Sequence, residues 1–380
     1  MNNQFIASIN RLFLSVLILT GLYSCIDPYD VNFNQENKIL VVQGLLTNDI
    51  ENPDTIKIQY SVYTNGYTRA KPAWPFDVYF YLINSKQKIE LVQTGIGIFV
   101  PPPNFSIEPS EKYTLNFTLY DAEKGEQKYQ SSPQQASITP PILNIHDSFN
   151  PQSRLSEDGK KFVSSNDVFI DFQDPASQKN YYLWRYIHFE KLEECITCYS
   201  SIYSPYTESC IPMPGSRQPY YDYTCMTMCY GIMKSDKVNV FSDLASDGRL
   251  ITGKRVAQIP FYFVSGCLVE IQQMCISPDA YTFYKNLESQ TQTNGGLADT
   301  PPTAIVGNIS NITNPEEKIV GYFSVVNIQK KRHWIDRATA TGERSNILGH
   351  VVVHDPSPMA PLATCKKSAT RTPFKPEGWQ

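Results

Sequence analysis

Between residues 38 and 139, the chain contains several short strand-like segments, some with apolar side chains at every second position, and no stretch repeats them with the period of a helix. The clearest example is 112–120, in which tyrosine, leucine and phenylalanine alternate with threonine and asparagine. Such alternation places one set of side chains on each face of an extended strand. Short strands separated by turns, such as the hairpin turn predicted at 84–86, indicate a β-sandwich of the immunoglobulin or fibronectin type. We therefore assign 38–140 to an N-terminal β-sandwich domain.

The chain beyond this domain is also predicted to be rich in strands. Pro140 and Pro141 cannot continue a sheet ladder, and strand-like alternation resumes after them. We therefore predict a second β-rich domain over 141–345 and a C-terminal tail over 346–380.

Two segments of the second domain are expected to depart from regular strands. Residues 195–230 are rich in cysteine and tyrosine and show no steady period, which predicts an irregular insertion held by disulfides. Residues 277–290 carry an amphipathic stripe that predicts one helix, with Ser277 as its N-cap and Pro278 at its first position. We expect this helix to cover the sheet of the second domain.

The N-terminus carries the pattern of an exported protein. Arg11 precedes the apolar run 12–22, which as a helix would rise only ~16 Å, too little to cross a ~30 Å hydrocarbon layer. The run leads into Leu-Tyr-Ser-Cys, which resembles the bacterial lipobox. We therefore predict a signal peptide over 1–24 and lipid attachment at Cys25, with an ordinary secretory signal as the alternative. The polar residues 25–37 are expected to tether the fold to the lipid.

Export changes the interpretation of the other cysteines. An even number of cysteines in an exported protein predicts disulfides. In a cytosolic chain, the C-x-x-C pair at 195–198 and the C-x-x-x-C pair at 225–229 would instead suggest zinc, which stays the alternative here. With Cys25 set aside, the disulfide candidates are Cys195, Cys198, Cys210, Cys225, Cys229, Cys267, Cys275 and Cys365.

Strand geometry excludes one of these pairings. If 267–275 is one extended strand, its ends lie ~26 Å apart at ~3.3 Å per residue. A disulfide requires Cα atoms within ~7 Å, so Cys267 and Cys275 cannot pair with each other. We expect each of them to pair with a cysteine of the 195–229 cluster or with Cys365.

Several segments, taken in order, resemble one known family. They are the lipobox at 22–25, LVVQGLLTND at 40–49, SPDAY with its following aromatic pair at 277–284, the run 301–323, and the tail from Cys365 to PEGW at 376–379. The combination resembles the Bacteroidota outer-membrane lipoproteins that carry domain of unknown function DUF4249. The resemblance extends over nearly the whole chain.

The resemblance implies a non-enzymatic, lipid-anchored binding or accessory subunit of the outer membrane. Family members are often encoded beside TonB-dependent transporters. The expected partner is therefore such a transporter or another outer-membrane barrel, met at the cell surface more than at the periplasmic face. A surface hydrolase acting on glycans or peptides and a purely structural stalk are the alternatives. The formal net charge of −4 and the pI near 5.8 argue against a nucleic-acid partner.

Apart from the cysteine pairs, the sequence contains no motif that indicates catalysis, a cofactor or a metal. The Gly-x-Ser-x-Gly elbow of esterases is missing. His350 and His354 are separated by three valines, which favour a strand and would hold the two rings ~13 Å apart. Zinc bonds of ~2.0–2.1 Å cannot bridge that separation. We therefore predict no metal site and no enzymatic activity.

Two sets of polar residues remain as local predictions. Asp167, Asp171 and Asp174 match no calcium-loop spacing, and solvated carboxylates are expected there. Asp54-Thr55-Ile56 resembles the Bacteroidota O-glycosylation motif, which makes Thr55 the predicted glycan acceptor.

Overall fold

The computed structural model describes residues 37–50, 52–64, 67–156, 160–213, 218–235, 237–292 and 305–380. Cys25 and the predicted signal peptide lie outside the described residues. Among the described residues, no helix is long and apolar enough to cross a lipid bilayer. By their contacts, these residues fall into two compact units, a smaller one at 37–38, 61–64 and 67–70, and a larger one made of the rest.

The smaller unit contains the end of one strand and the start of the next. Strands β2 (Ile56–Thr64) and β3 (Tyr67–Pro72), which enter this unit, pair with each other. Every side chain of β3 is exposed, whereas Val62 of β2 is buried.

The larger unit begins with a sandwich of two sheets. Besides β2, its strands are β1 (Asn37–Thr47), β4 (Phe76–Leu82), β5 (Gln87–Glu90), β6 (Val92–Gly95), β7 (Ile98–Val100), β8 (Tyr113–Asp121), β9 (Gly125–Ser131), β19 (Ile309–Asn311) and β20 (Ile319–Val326). One sheet has the order β20-β1-β2-β7-β6 and the other has the order β19-β9-β8-β4-β5. Phe80 of the second sheet stacks on Phe323 of the first within their shared core. The hairpin turn at 84–86 is confirmed, because it joins β4 to β5.

Two further sheets pack against each other in the same unit. Their strands are β10 (Ile142–Leu155), β11 (Phe162–Gln173), β12 (Tyr181–Tyr199), β15 (Tyr220–Lys234), β16 (Asn239–Ser242), β17 (Leu250–Pro260), β18 (Cys267–Ile276), β21 (Ile328–Ile335) and β22 (Arg371–Thr372). The smaller sheet has the order β10-β11-β17. The larger has the order β21-β18-β12-β15-β22, with β16 also paired to β12. Their facing side chains, among them Phe172 and Trp184, form a second core.

The helix predicted from the sequence is confirmed as α1 (Pro278–Gln292). Ser277 caps it, since its hydroxyl oxygen accepts a hydrogen bond from the Ala280 N–H at 3.2 Å. Phe283 and Ala280 pack on the larger sheet, on the face opposite the second core, together with apolar side chains of β12, β16, β18 and β20. The chain is thus mainly β with one covering helix, as the sequence predicts.

The described part of the longest family-like segment, 301–323, contains close backbone contacts that need glycine. Gly321 of β20 has φ +120°, and a Cβ there would stand 1.8 Å from the Val42 carbonyl oxygen of β1. A Cβ on Gly307 would stand 1.8 Å from the Gly321 carbonyl oxygen. Only glycine allows this approach of three backbones. Asn308 then fixes Phe323, because its side chain both donates to and accepts from the Phe323 backbone at 2.8 Å.

Candidate functional site

Residues 195–230, which we call the ribbon, contain five of the eight disulfide candidates. The expectation of an irregular insertion is wrong: in its described part, the ribbon is a two-stranded extension of β12 and β15, with register from Ile187–Lys234 to Tyr199–Tyr220. A small hairpin of β13 (Ser201–Ser204) and β14 (Ser209–Pro212) follows. The sequence shows no period here because burial along β12 does not alternate after Leu192. Disulfides stabilise the ribbon, which lacks the alternating apolar face of an ordinary strand pair.

Three disulfides hold the ribbon, in agreement with the disulfide interpretation of the cysteines. They are Cys195–Cys225, Cys198–Cys210 and Cys229–Cys365, which close loops of 30, 12 and 136 residues. The sulfurs of Cys195, Cys229 and Cys365 lie within 4.8 Å of one another. Each is already bonded to another sulfur, so none of these three residues presents the thiolate that zinc requires.

We expected Cys267 and Cys275 each to pair with a cysteine of the 195–229 cluster or with Cys365. That expectation is wrong, because both are free thiols. They lie on β18, whose ten residues are all buried between β12 and β21. Neither thiol therefore reaches the ribbon. Burial raises the pKa of Cys275 to about 11, and it also raises the pKa of Cys267, which lies beside Glu190.

A wide bulge exposes two methionines on one edge of the ribbon. Leu192 pairs with Cys229 and Glu194 pairs with Thr224, so four residues of β15 stand opposite one residue of β12. The four residues at 225–228 include Met226 and Met228, both exposed. The Met226 N–H donates to the Ala363 carbonyl at 2.8 Å. The bulge therefore pairs with the C-terminal tail in place of β12.

The tail at 350–366 lies along β15 as an irregular additional edge. The Asp222 N–H donates to the Val353 carbonyl at 2.7 Å, and the Ala363 N–H donates to the Thr224 carbonyl at 2.8 Å. We define the ribbon surface as seven of the exposed apolar and tyrosine side chains of the ribbon and the tail. They are Tyr199, Tyr206, Met226, Met228, Val351, Met359 and Leu362.

A buried carboxylate fixes the tail against the ribbon. Asp222 accepts hydrogen bonds from the Thr197 hydroxyl at 2.7 Å, the Val353 N–H at 2.9 Å and the His350 Nε2 at 3.0 Å. Burial alone would raise the pKa of Asp222, but these hydrogen bonds outweigh it and lower that pKa. His354 lies apart from this network, with its Nε2 3.9 Å from Glu194. The structure therefore gives the two histidines different carboxylate neighbours.

The three aspartates weighed for calcium are also separated. Asp167 accepts from the Ser153 hydroxyl at 2.6 Å, and Asp171 accepts from the Gly253 N–H at 2.8 Å. Asp174 instead lies within 4.8 Å of Asp243 and Asp247. It is held by the Tyr182 hydroxyl and by the Gly248 N–H at 2.9 Å, so protein donors already occupy it.

The predicted glycan acceptor Thr55 is exposed, and glycosylation there stays a prediction. Its neighbour Asp54 is fixed by a two-pronged ion pair with Arg185, at 2.8 and 3.0 Å. The sequence alone did not predict that residues of the tail belong to the ribbon surface. The concentration of Tyr and Met around the cysteines was the available signal, but it did not indicate that a distant tail would join them.

The fold and the ribbon define a β-sandwich protein with a second pair of packed sheets and a disulfide-held extension. A family model described as Domain of unknown function (DUF4249) matches residues 26–332. Because this match spans most of the chain, the protein belongs to that family, and the predicted membership of the DUF4249 family is confirmed. No curated protein and no solved structure matches the chain.

Proposed function

We propose that this protein is a lipid-anchored, non-enzymatic accessory subunit of the outer membrane that binds a barrel protein, such as a TonB-dependent transporter, through the ribbon surface. The observation that carries the proposal is the exposure of Met226, Met228 and Tyr206 on a ribbon held by three disulfides. The lipobox-like sequence before Cys25 supports the membrane anchor.

Composition and exposure favour a protein partner for this surface. The Tyr206 side chain, at the turn of the β13–β14 hairpin, is 97% exposed, and Met359 in the tail is 89% exposed. Tyrosine and methionine are enriched in protein–protein interfaces, and methionine adapts its shape to the partner. Clustered exposed apolar side chains are characteristic of interaction sites.

The disulfides favour binding by reducing its entropic cost. An interface whose loops are already ordered loses less conformational freedom when it binds. Cys198–Cys210 fixes the hairpin that carries Tyr206, and Cys195–Cys225 fixes the start of the methionine bulge. The ribbon surface is therefore preorganised for one partner geometry.

Co-purification from the native membrane tests the proposal. The protein would be recovered with an affinity tag after gentle detergent solubilisation, as the unaltered chain, as Met226→Glu and as the matched control Leu244→Glu. Leu244 is exposed and lies outside the ribbon surface. We expect a barrel protein with the unaltered chain and the control and its loss with Met226→Glu. Recovery of the unaltered chain without any barrel protein would overturn the proposal.

A further inference from the structure

We propose that a cleft beside β16 and β17, outside the ribbon surface, binds a small organic anion. The cleft has a volume of about 390 Å³ and is lined by residues of β10, β12, β16, β17 and α1. This volume falls within the range of small-molecule sites. The inference is independent of the partner proposed for the ribbon.

The centre of the cleft is Lys254. Its Nζ lies 5.3 Å from the centroid of the Trp184 ring and 5.1 Å from that of Phe241. These rings fix the ammonium group by cation–π attraction. Burial lowers the pKa of Lys254, and among the described residues no carboxylate lies within 4.0 Å of its Nζ. Glu288 acts on this ammonium group only through space, without an ion-pair contact, and a half-buried cation without such a contact favours the binding of an anion.

Most of the other charged side chains that line the cleft are also positive. Arg154, Lys237 and Arg255 add three cationic side chains, against the single carboxylate of Glu288. Glu288 is itself engaged by Lys285 at 2.6 Å. One sign of charge in a recess concentrates ions of the opposite sign. The cleft is therefore an anion-attracting recess on a protein whose net charge is negative.

Arg154 is a second cationic side chain of the cleft lining. Its Nε is buried, yet it has no hydrogen-bond partner in the part of the chain that the structure describes. Because this Nε has almost no accessible surface, a bound anion would meet the guanidinium at its Nη groups, through charge-assisted hydrogen bonds. Because the guanidinium and the Lys254 ammonium group line one cleft, a carboxylate, phosphate or sulfate group is the ligand chemistry that suits both.

Calorimetric titration of the full chain in detergent tests the site. The probes are inorganic phosphate, D-glucuronate and, as a neutral control, D-glucose, at constant ionic strength and pH 7. We expect saturable binding of at least one anion, with a Kd of about 1 mM or tighter, and no binding of glucose. Tighter binding of glucuronate would assign a sugar acid, and tighter binding of phosphate would assign a phosphorylated ligand.

Variants separate this cleft from general charge effects. Lys254→Met should weaken binding by about tenfold or more. Lys191→Met is the matched control, because Lys191 is exposed on β12 outside the cleft, and it should leave binding unchanged. If Lys254→Met does not fold, Arg154→Gln replaces it with the same expected loss. Absence of binding for both anions at 10 mM, or binding that neither cleft variant weakens, would overturn the proposal.

Discussion

Cys229 in β15 and Cys365 in the C-terminal tail are joined by a disulfide, although 136 residues separate them in the sequence. Ala363, two residues before Cys365, also pairs with Thr224 of the same strand. This cross-link fixes the tail along the ribbon and brings Met359 and Val351 to the ribbon surface. The surface is thus assembled from two distant parts of the chain.

Breaking this cross-link should cost more stability than breaking a short one. In the chain-entropy model a disulfide closing so long a loop contributes about 5 kcal/mol, and one closing about a dozen residues contributes about 3 kcal/mol. We therefore expect Cys365→Ser to lower the free energy of unfolding in urea more than Cys210→Ser. Limited proteolysis should cleave the tail only in Cys365→Ser. Equal losses in the two variants would show that the tail is fixed by other contacts.

A buried ion pair between Glu190 and Arg337 should contribute strongly to the stability of the protein. Both side chains are fully buried, with the Arg337 Nη1 2.9 and 3.1 Å from the two Glu190 oxygens. The guanidinium also donates to Asn166 at 3.1 Å and to the Pro260 carbonyl at 2.9 Å. Arg337→Met leaves the carboxylate uncompensated, and we expect it to lower the free energy of unfolding by about 3–5 kcal/mol.

The matched control for that variant removes both charges. Glu190→Leu combined with Arg337→Met should regain at least about 2 kcal/mol of the loss, because no unpaired charge remains buried. Chemical denaturation of the single and double variants measures the difference. A double variant less stable than Arg337→Met would show that the loss came from packing.

His188 should make the protein less stable in acid. Its ring stacks on Tyr262 and lies near Tyr186. Neither ring nitrogen has a hydrogen-bond partner among the described residues. Burial, helped by the charges of Arg337 and Arg154, lowers the pKa of His188 to about 3. Between pH 6.5 and about 3, the unfolded chain binds a proton that the folded chain excludes. Stability from this residue is therefore full above pH 6.5 and is lost as pH falls, by about 1.4 kcal/mol per pH unit.

The variant His188→Leu isolates this contribution. Glu190 acts in the opposite direction, because burial raises its pKa to about 7, so its contribution is present below pH 4.5 and is lost as pH rises to about 7. Both proteins keep Glu190, and the difference in their free energies of unfolding should therefore follow His188. We expect the variant to lose stability less steeply from pH 6.5 to 4. Parallel curves would contradict the assignment.

The free thiols should be hidden in the folded protein. Cys267 and Cys275 are buried and the pKa of each is raised, so both conditions for a reactive thiolate are unmet. In a chain beginning after Cys25, a thiol reagent should label no cysteine under native conditions and two in denaturant without reductant. Labelling of four or more would show that a ribbon disulfide had not formed.

Local features of the fold were predictable from the sequence. The alternation at 112–120 predicted β8, the residues at 84–86 predicted a hairpin turn, and the capped stripe after Ser277 predicted α1. Each depends on contacts within a few residues. Even there, burial was not predictable: Thr114 and Asn116 are buried like their apolar neighbours, and they hydrogen-bond to each other at 2.9 Å.

Long-range pairing was not predictable. β20 joins β1 in a parallel ladder from Leu40–Ile319 to Thr47–Val326, and no local pattern in either strand identifies the other. The partners predicted for Cys267 and Cys275 were wrong for the same reason. β18 is a central strand, and both thiols lie in the interior. The family-like segments are explained only by these contacts. Trp379 of the PEGW segment, for example, packs edge-on against Tyr230 and Trp334.

Site-specific photo-crosslinking in intact cells tests whether the ribbon surface binds an outer-membrane barrel protein. A photoreactive residue would replace Met226 or Tyr206 on the ribbon surface, or Leu244 as an exposed control outside it. We expect positions 226 and 206 to yield one discrete adduct containing an outer-membrane barrel protein, and position 244 to yield none. No adduct from either ribbon position, or the same adducts from all three positions, would contradict this expectation.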